Sequence, residues 1–415
     1  LLGLVDTGVV GRLGDPALLG GLALGAVLFD MIFTTFNFFR GSTTALVAQA
    51  VGAEDEEEQR LVILRTLILA VAIGVLMLAL SPIILAMGLW LMESTVAVEK
   101  AVRDYFTIRI LSAPLTLVNY SILGWLLGHA RAGTALVLQV TMNGVNMVLS
   151  IYLGLHLGWG IEGVAWATVM AEIVSVTCGL TLVALSLRGI AFPRLSLLFD
   201  AAAYRRLFGV NGDVMIRSFC LLLAFSFFTL QGATFSEEVL AANAVLMNFF
   251  LVSGYFLDGC ATAARQLVGR AIGANYRPAF DRSIKLSIGW GILLAATASI
   301  GFYFGGGMLI DLLTTDETVR ETARLFLPWA AATALVGFIA FVMDGVFMGA
   351  TWTKDMRNMM FVSLLAFLVT WAIAKPLMGN HGLWLALNVF LGMRGITLYA
   401  RLPVRRAQSF SAASG

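Results

Sequence analysis

Residues 61–80 read LVILRTLILAVAIGVLMLAL, an apolar run that only Arg65 and Thr66 interrupt. About 20 such residues are what an α-helix needs to cross the hydrocarbon core of a bilayer. The whole chain shares this character, because 59% of its 415 residues are hydrophobic, only 13% are charged, and the mean hydropathy is +0.89. A soluble fold of this size could not hide so much apolar surface. We therefore predict a chain that is surrounded by lipid.

Twelve apolar segments divide the sequence. They cover residues 1–11, 17–40, 61–90, 105–128, 134–156, 161–187, 213–233, 239–263, 283–310, 322–349, 358–377 and 382–400. We predict an all-α polytopic membrane protein with twelve transmembrane helices, because in lipid each backbone group must find its hydrogen bond within its own segment. The first segment is too short to span, and we interpret it as a truncated helix. The residues from Gln408 onward are predicted to form a disordered tail.

The two halves of the chain resemble each other. With a shift of 221 residues, Leu19–Ala53 aligns on Leu240–Ala274 without a gap. The same shift places Gly124 on Gly345 and Gly128 on Gly349. Six helices per repeat mean that both halves enter the membrane in the same direction, which predicts two parallel repeats around a central cavity. The predicted domains are an N-terminal lobe over residues 1–187, a cytoplasmic linker over 188–212, a C-terminal lobe over 213–400 and a cytoplasmic tail over 401–415.

The positive residues predict the orientation in the membrane. If the N-terminus is inside, the inner loops and the C-terminus hold 15 Lys and Arg residues and the outer loops hold 6. Basic residues accumulate on the cytoplasmic side of membrane proteins. We therefore predict a multi-pass protein of the bacterial inner (plasma) membrane with both termini in the cytoplasm.

Ionisable groups inside a span are costly, so they mark function or a buried pair. Asp6 has no basic residue near it in sequence, which makes it a functional candidate. Asp30 is a weaker candidate in a segment rich in phenylalanine. Asn37 and Asp258 occupy equivalent places in the two repeats, which favours a cavity or helix-contact position. Asp258 could also pair with Arg265, seven residues further along the same helix face.

Other charges are interpreted as structural. Asp213 and Arg217 are spaced i to i+4 at a predicted helix start, and we predict an ion pair between them. Four further charges are candidate buried partners of one another, and the sequence leaves their pairing open: Glu172, Arg109, Asp344 and Arg394. The three cysteines lie in apolar runs and are interpreted as small core residues rather than a disulfide framework.

Several functional classes are disfavoured. The sequence has three histidines, at loops or helix ends, and none of the Gly-x-Ser-x-Gly, His-Glu-x-x-His or P-loop motifs. We therefore predict no enzyme activity, no cofactor and no metal. The net charge of +2 carries no information about nucleic acid, but the sequence has no basic tract or zinc-ligand spacing, and we predict no nucleic-acid partner.

The stretch Val5-Asp6-Thr7, followed by Gly11-Arg12-Leu13-Gly14-Asp15, resembles the start of the MATE (multidrug and toxic compound extrusion) transporters. Further similar motifs follow in the family's order at Ala113-Pro114, Gly124–Gly128, Gly163–Thr168, Ala241–Val245, Tyr255–Gly259 and Asp344–Thr351. They are most similar to the branch named for the DNA-damage-inducible protein F. The resemblance covers nearly the whole chain and implies two six-helix lobes, alternating access and cation-driven antiport.

The resemblance also implies roles for single residues. Asp6 corresponds to the first-helix aspartate that is tied to proton coupling in relatives. Asn146 matches an Asn-x-x-x-Asp pattern of the fifth helix, but Ser150 stands where the aspartate often is. Thr168 fits a sixth-helix threonine and Tyr105 a fourth-helix tyrosine. The predicted N-lobe cavity residues are Asn146, Ser150, Thr168, Tyr105, Asn37 and Asp30, and the predicted C-lobe cavity residues are Asn243, Asp258 and Asp344.

These observations predict a monomeric antiporter that exports small organic compounds, cationic or amphipathic, in exchange for protons. A sodium site prefers several oxygen ligands including carboxylate, so Ser150 favours the proton. Two alternatives stay open: a sodium-coupled exporter, and a flippase for lipid-linked precursors, which would need a strongly cationic cavity. The predicted partners are the small-molecule substrate, the proton or sodium ion, and membrane lipids.

Overall fold

The computed structural model describes residues 2–92, 95–188 and 194–411. Helices make up the regular structure of these ranges. They are α1 (Leu2–Gly11), α2 (Pro16–Phe36), α3 (Phe38–Gly52), α4 (Glu56–Ala79), α5 (Ser81–Met92), α6 (Val96–Arg109), α7 (Ala113–Gly128), α8 (Ala132–Ile151), α9 (Gly160–Ser186), α10 (Leu195–Leu198), α11 (Ala201–Gly232), α12 (Glu237–Gly273), α13 (Arg277–Leu313), α14 (Glu317–Gly349), α15 (Thr353–Met378) and α16 (Asn380–Ser411). Within the described ranges, eleven stretches are long and apolar enough to cross a membrane. Together with α1 they are the twelve predicted segments, so the all-α class is confirmed.

Several predicted boundaries differ from the structure. The segment predicted over 17–40 divides at Asn37, whose backbone N–H bonds to the carbonyl of Thr34 as α2 ends. The segment predicted over 61–90 divides before Ser81-Pro82, where the proline supplies no backbone N–H to continue the helix. The helix predicted to begin at residue 213 begins at Ala201, within the predicted linker. The Asp200 carboxylate caps this helix by accepting hydrogen bonds from the backbone N–H groups of Ala202 and Ala203.

The prediction of a disordered tail from Gln408 onward is wrong as far as Ser411, because α16 continues to that residue. Two ion pairs hold this polar extension: Arg405 with Asp355, and Arg406 with Asp281 at 3.1 Å. Residues 412–415, and residues 189–193 of the predicted linker, lie outside the described ranges. The cysteines also differ from expectation, since Cys178 is exposed and only Cys220 is fully buried.

The chain packs as two compact units. Unit 1 comprises Leu1–Val47 and Glu56–Tyr204, and unit 2 comprises Ala48–Asp55 and Arg205–Gly415. The interior of unit 1 holds fully buried side chains from α6 and α7, such as Phe106 and Leu117. Unit 2 has an aromatic core, in which the rings of Phe228 and Trp384 pack edge to face with centroids 5.0 Å apart.

The same glycine-mediated helix crossing occurs inside each unit. In unit 1 two glycines of α7 face carbonyl groups of α3, and in unit 2 two glycines of α14 face carbonyl groups of α12. The contacting pairs are Gly124 with Arg40, Gly128 with Thr44, Gly345 with Ala261, and Gly349 with Arg265. Small residues at such positions let helix backbones approach closely in a membrane protein. Each pair in unit 2 lies 221 residues after its counterpart in unit 1, so the sequence repeat corresponds to a repeated packing motif.

Candidate functional site

Three helices of unit 1 bring four of the predicted residues together. Oδ1 of Asp6 on α1 accepts a hydrogen bond of 2.9 Å from the Ser150 hydroxyl on α8. One turn earlier on α8, Nδ2 of Asn146 donates to the Thr168 hydroxyl on α9 at 3.0 Å. Asn146 and Ser150 are buried and lie on one helix face because they are four residues apart. The result is a polar cluster, here called the Asp6 cluster, with Asp6 as its one carboxylate.

Small residues make this cluster sterically possible. A side chain at Gly154 would meet Val9 of α1, and one at Gly163 would meet the backbone at Leu153. Both glycines therefore permit the close approach of the helices that carry Asp6 and the other three side chains. Val9 and Val10 are buried, which anchors the C-terminal part of α1 against this surface.

A partly buried cation, Arg109, lies in the same unit. The guanidinium carbon of Arg109 sits 5.2 Å from the ring centroid of Phe29 and 5.1 Å from that of Phe33, a cation–π arrangement. The buried Tyr105 packs edge-on against Phe29, with centroids 6.0 Å apart. Arg109 therefore places a positive charge in the unit that also holds Asp6. The sequence reasoning did not place Arg109 in the site, although an arginine inside an apolar segment was an available signal.

A buried carboxylate, Glu172 of α9, lies in the same unit. Glu172 accepts hydrogen bonds from Asn119 and, at 3.2 Å, from Thr116, both on α7. Ser175 donates to Oδ1 of Asn119 at 2.9 Å and completes the network. Among the described residues Glu172 makes no direct ion pair. Amide and hydroxyl groups donate hydrogen bonds to its carboxylate in place of the arginine partner that the sequence left open.

Three of the predicted N-lobe residues stand outside the Asp6 cluster: the buried Tyr105, which packs against Phe29, and two exposed residues. Asp30 and Asn37 are exposed, the first on α2 and the second where that helix ends. Within the described ranges, neither makes a hydrogen bond to the four residues of the cluster. The predicted N-lobe set is therefore brought together in part.

The predicted C-lobe residues are separated. Asn243 exchanges two hydrogen bonds with Asn380, of 2.9 and 3.0 Å, and accepts another from Trp384 Nε1 at 2.9 Å. Asn243 borders a cavity of about 460 Å³ that is otherwise mostly apolar. The other residues lining it are Phe225, Phe228, Thr229, Leu240, Ala244, Met247, Phe250 and Leu251. Asp258 and Asp344 do not belong to this lining, so the three residues do not form one site.

The ion pairs of Asp213 and Arg217 in unit 2 differ from the prediction. The predicted pair of Asp213 with Arg217 is wrong: Asp213 pairs with Arg357 at 2.7 Å, and Arg217 pairs with Asp344 at 2.8 Å. Because α11 begins at Ala201, Asp213 lies within the helix, and both side chains reach neighbouring helices. Of the charges whose pairing the sequence left open, Asp344 and Arg394 do pair, at 2.7 Å.

Comparison with known proteins gives the family. The MatE family model matches residues 1–152 and 214–373. Over 408 residues the chain is 38% identical to the DNA damage-inducible protein F of Escherichia coli strain K12, covering 96% of this chain and 87% of that protein. The chain belongs to the MatE family. It is therefore a membrane transporter rather than an enzyme.

More distant relatives agree with this assignment. The MatE chain is 24% identical to a probable multidrug resistance protein NorM of Bacillus cereus, with 94% of this chain and 86% of the relative covered. A crystal structure of MATE in the bent conformation superposes with a TM-score of 0.90 at 18% identity, covering 100% of this chain and 93% of that one. A transporter of the MOP superfamily from Pyrococcus furiosus superposes with a TM-score of 0.88 at 17% identity, covering 99% and 92%. The structural likenesses establish the fold.

Proposed function

We propose that this MatE-family protein exports small organic compounds, cationic or amphipathic, in exchange for protons, with Asp6 as the proton-carrying group. The observation that carries the proposal is the contact of the Asp6 carboxylate with Ser150, next to the Asn146–Thr168 pair. A small organic substrate agrees with the name of the Bacillus cereus relative, a probable multidrug resistance protein.

The Asp6 cluster is chemically suited to a single proton. The Ser150 hydroxyl donates to the charged carboxylate, and the same hydroxyl can rotate to accept a hydrogen bond once Asp6 is protonated. Protonation also converts a costly, partly buried charge into a neutral group. A free-energy difference of this kind can shift α1 between two arrangements on α8, which is what coupling to a gradient requires.

Two features favour the proton over sodium. Sodium is best held by several oxygen ligands that include carboxylates, whereas Asp6 is the one carboxylate of its cluster. The remaining members of the cluster, Asn146, Ser150 and Thr168, are neutral and supply no second negative charge to balance a bound cation.

The coupling ion can be measured in proteoliposomes. We expect substrate export under a pH gradient without sodium, and only background export under a sodium gradient at fixed pH. A vesicle preparation with both gradients collapsed by ionophores supplies the baseline. Export that requires sodium at fixed pH would show that the sodium-coupled alternative is correct.

We further propose that both termini and the segment 188–212 face the cytoplasm of a bacterial inner membrane, because the basic residues are biased to that side. In a variant lacking Cys178, Cys220 and Cys260, Ala202→Cys should resist a membrane-impermeant thiol reagent on intact cells. Ala202 is exposed in the structure, so shielding by the protein would not explain the resistance. Thr315→Cys, in the exposed turn between α13 and α14, should react. The opposite labelling pattern would invert the orientation.

A further inference from the structure

Three charged side chains, one buried and two partly buried, form a cluster inside unit 2. Oδ2 of Asp344 on α14 accepts hydrogen bonds from Arg217 of α11 at 2.8 Å and from Arg394 of α16 at 2.7 Å. The Arg394 side chain is 5% exposed, and those of Arg217 and Asp344 are 17% and 13% exposed. With two guanidinium groups and one carboxylate, the cluster carries one net positive charge.

The cluster leaves hydrogen-bond donors without acceptors. The Nε–H groups of Arg217 and Arg394 are both buried, and neither has a hydrogen-bond partner in the part of the chain that the structure describes. Buried donors without a partner and uncompensated buried charge both cost free energy. The Phe390 ring, 5.7 Å from the guanidinium carbon of Arg394, supports that group but supplies no acceptor oxygen.

Two buried carboxylates of the same unit form ion pairs in which one arginine neutralises one carboxylate. Asp213 is 7% exposed and pairs with Arg357 at 2.7 Å, while Asp355 is 6% exposed and pairs with Arg405. Each of these carboxylates has one arginine. The second arginine at Asp344 is therefore more positive charge than neutralisation of that carboxylate needs.

We propose that Arg217 and Arg394 together bind an anionic oxygen group, a carboxylate or a phosphate, on the transported molecule. Guanidinium groups present planar, bidentate donors that match such oxyanions. Asp344 holds the two guanidinium groups side by side and limits the net charge, so the bound anion can leave again. Arg217 and Asp344 are more exposed than Arg394, so an approaching anion meets Arg217 first. The substrates are then amphipathic molecules that carry such an anionic group, which deepens the proposed export function and rests on it.

The test uses two dyes that differ at one group. Rhodamine 110 has a free carboxylate, and rhodamine 123 is its methyl ester. We expect the purified full-length protein to bind rhodamine 110 roughly tenfold more tightly than rhodamine 123 in fluorescence anisotropy, since charge-assisted hydrogen bonds are the stronger kind. Equal affinity for the two dyes, or no binding of either, would overturn the proposal.

Variants locate the effect. Arg217→Gln removes the excess charge but leaves the Asp344–Arg394 pair, so it should fold and bind both dyes equally. Arg217→Lys keeps the charge without the Nε donor and should show an intermediate preference, which carries the test if the glutamine variant does not fold. The control is Arg324→Gln, which removes an arginine from the exposed pair with Asp311 and should keep the full preference. A preference that survives Arg217→Gln would place anion recognition elsewhere and contradict the proposal.

The anionic group could come from a soluble compound or from a lipid headgroup, and lipid nanodiscs distinguish them. Competition by phosphatidylglycerol against rhodamine 110 that disappears in Arg217→Gln identifies the headgroup as the source. Unchanged binding in phosphatidylglycerol and in phosphatidylcholine identifies a soluble anion.

Binding and export can be tested separately, because binding needs no gradient. Arginine-dependent binding without pH-driven export would refute proton-coupled export but would still support the anion site.

Discussion

Asp6→Asn is expected to reduce pH-driven export to the level of liposomes without protein, while the variant still folds and reaches the membrane. Asparagine has nearly the same size as aspartate and its carbonyl can still accept the hydrogen bond from Ser150. It cannot gain or lose a proton in the relevant pH range, so the gradient no longer changes the charge beside α8. The measurement is substrate flux from proteoliposomes as a function of internal and external pH, made with the full-length protein.

The matched control is Glu162→Gln, which removes an exposed carboxylate near the start of α9 in the same unit. It should export at the wild-type rate with the wild-type dependence on pH. Substrate binding to Asp6→Asn without a gradient separates loss of coupling from loss of the substrate site. If Asp6→Asn exports as wild type with an unchanged pH dependence, another group carries the proton, and Glu172 with its buried hydrogen-bond network is the next carboxylate to test.

The apolar membrane-crossing segments could be predicted because lipid imposes a simple rule on the sequence. A segment such as residues 61–80 must satisfy its own backbone hydrogen bonds, so hydropathy and length are enough to find it. Helix ends outside the apolar core follow different rules. The cap at Asp200 and the ion pairs of Arg405 and Arg406 extend α11 and α16 into polar sequence, where hydropathy carries no signal.

The site was predictable where neighbouring residues lie on one helix face. The family resemblance supplied Asn146, Ser150 and Thr168 as candidates, and the four-residue spacing of Asn146 and Ser150 places both on one face of α8. Asp6 was a candidate both as a carboxylate inside a span and through the resemblance. Contacts between helices were harder to predict from the sequence, because they depend on how each helix is rotated about its axis. The spacing of Asp213 and Arg217 predicts an intrahelical pair, yet each side chain has a closer partner on another helix. For the same reason the sequence did not show that Arg109 packs against the rings of Phe29 and Phe33.

The second large effect is expected at Gly345, where α14 crosses α12. A methyl group there would lie against the backbone carbonyl of Ala261, which cannot move unless α12 moves. Overpacking of this kind costs about 1–3 kcal/mol. We therefore expect Gly345→Ala to lower the free energy of unfolding by that amount and to lower the melting temperature of the detergent-solubilised protein. The yield of folded protein in gel filtration should fall with it.

The control for Gly345→Ala is the same substitution at Gly289, an exposed glycine of α13 with no heavy atom near its missing Cβ. Alanine is favoured over glycine in a helix interior by roughly 0.5–1 kcal/mol, so Gly289→Ala should raise the melting temperature slightly. The two variants add one methyl group each and are expected to shift stability in opposite directions. Gly124→Ala in unit 1, the repeat counterpart, should behave like Gly345→Ala, because its methyl group would meet the carbonyl of Arg40. Equal melting temperatures for Gly345→Ala and Gly289→Ala would mean that α12 and α14 do not cross at backbone contact, and the repeated glycine crossing would lose its support.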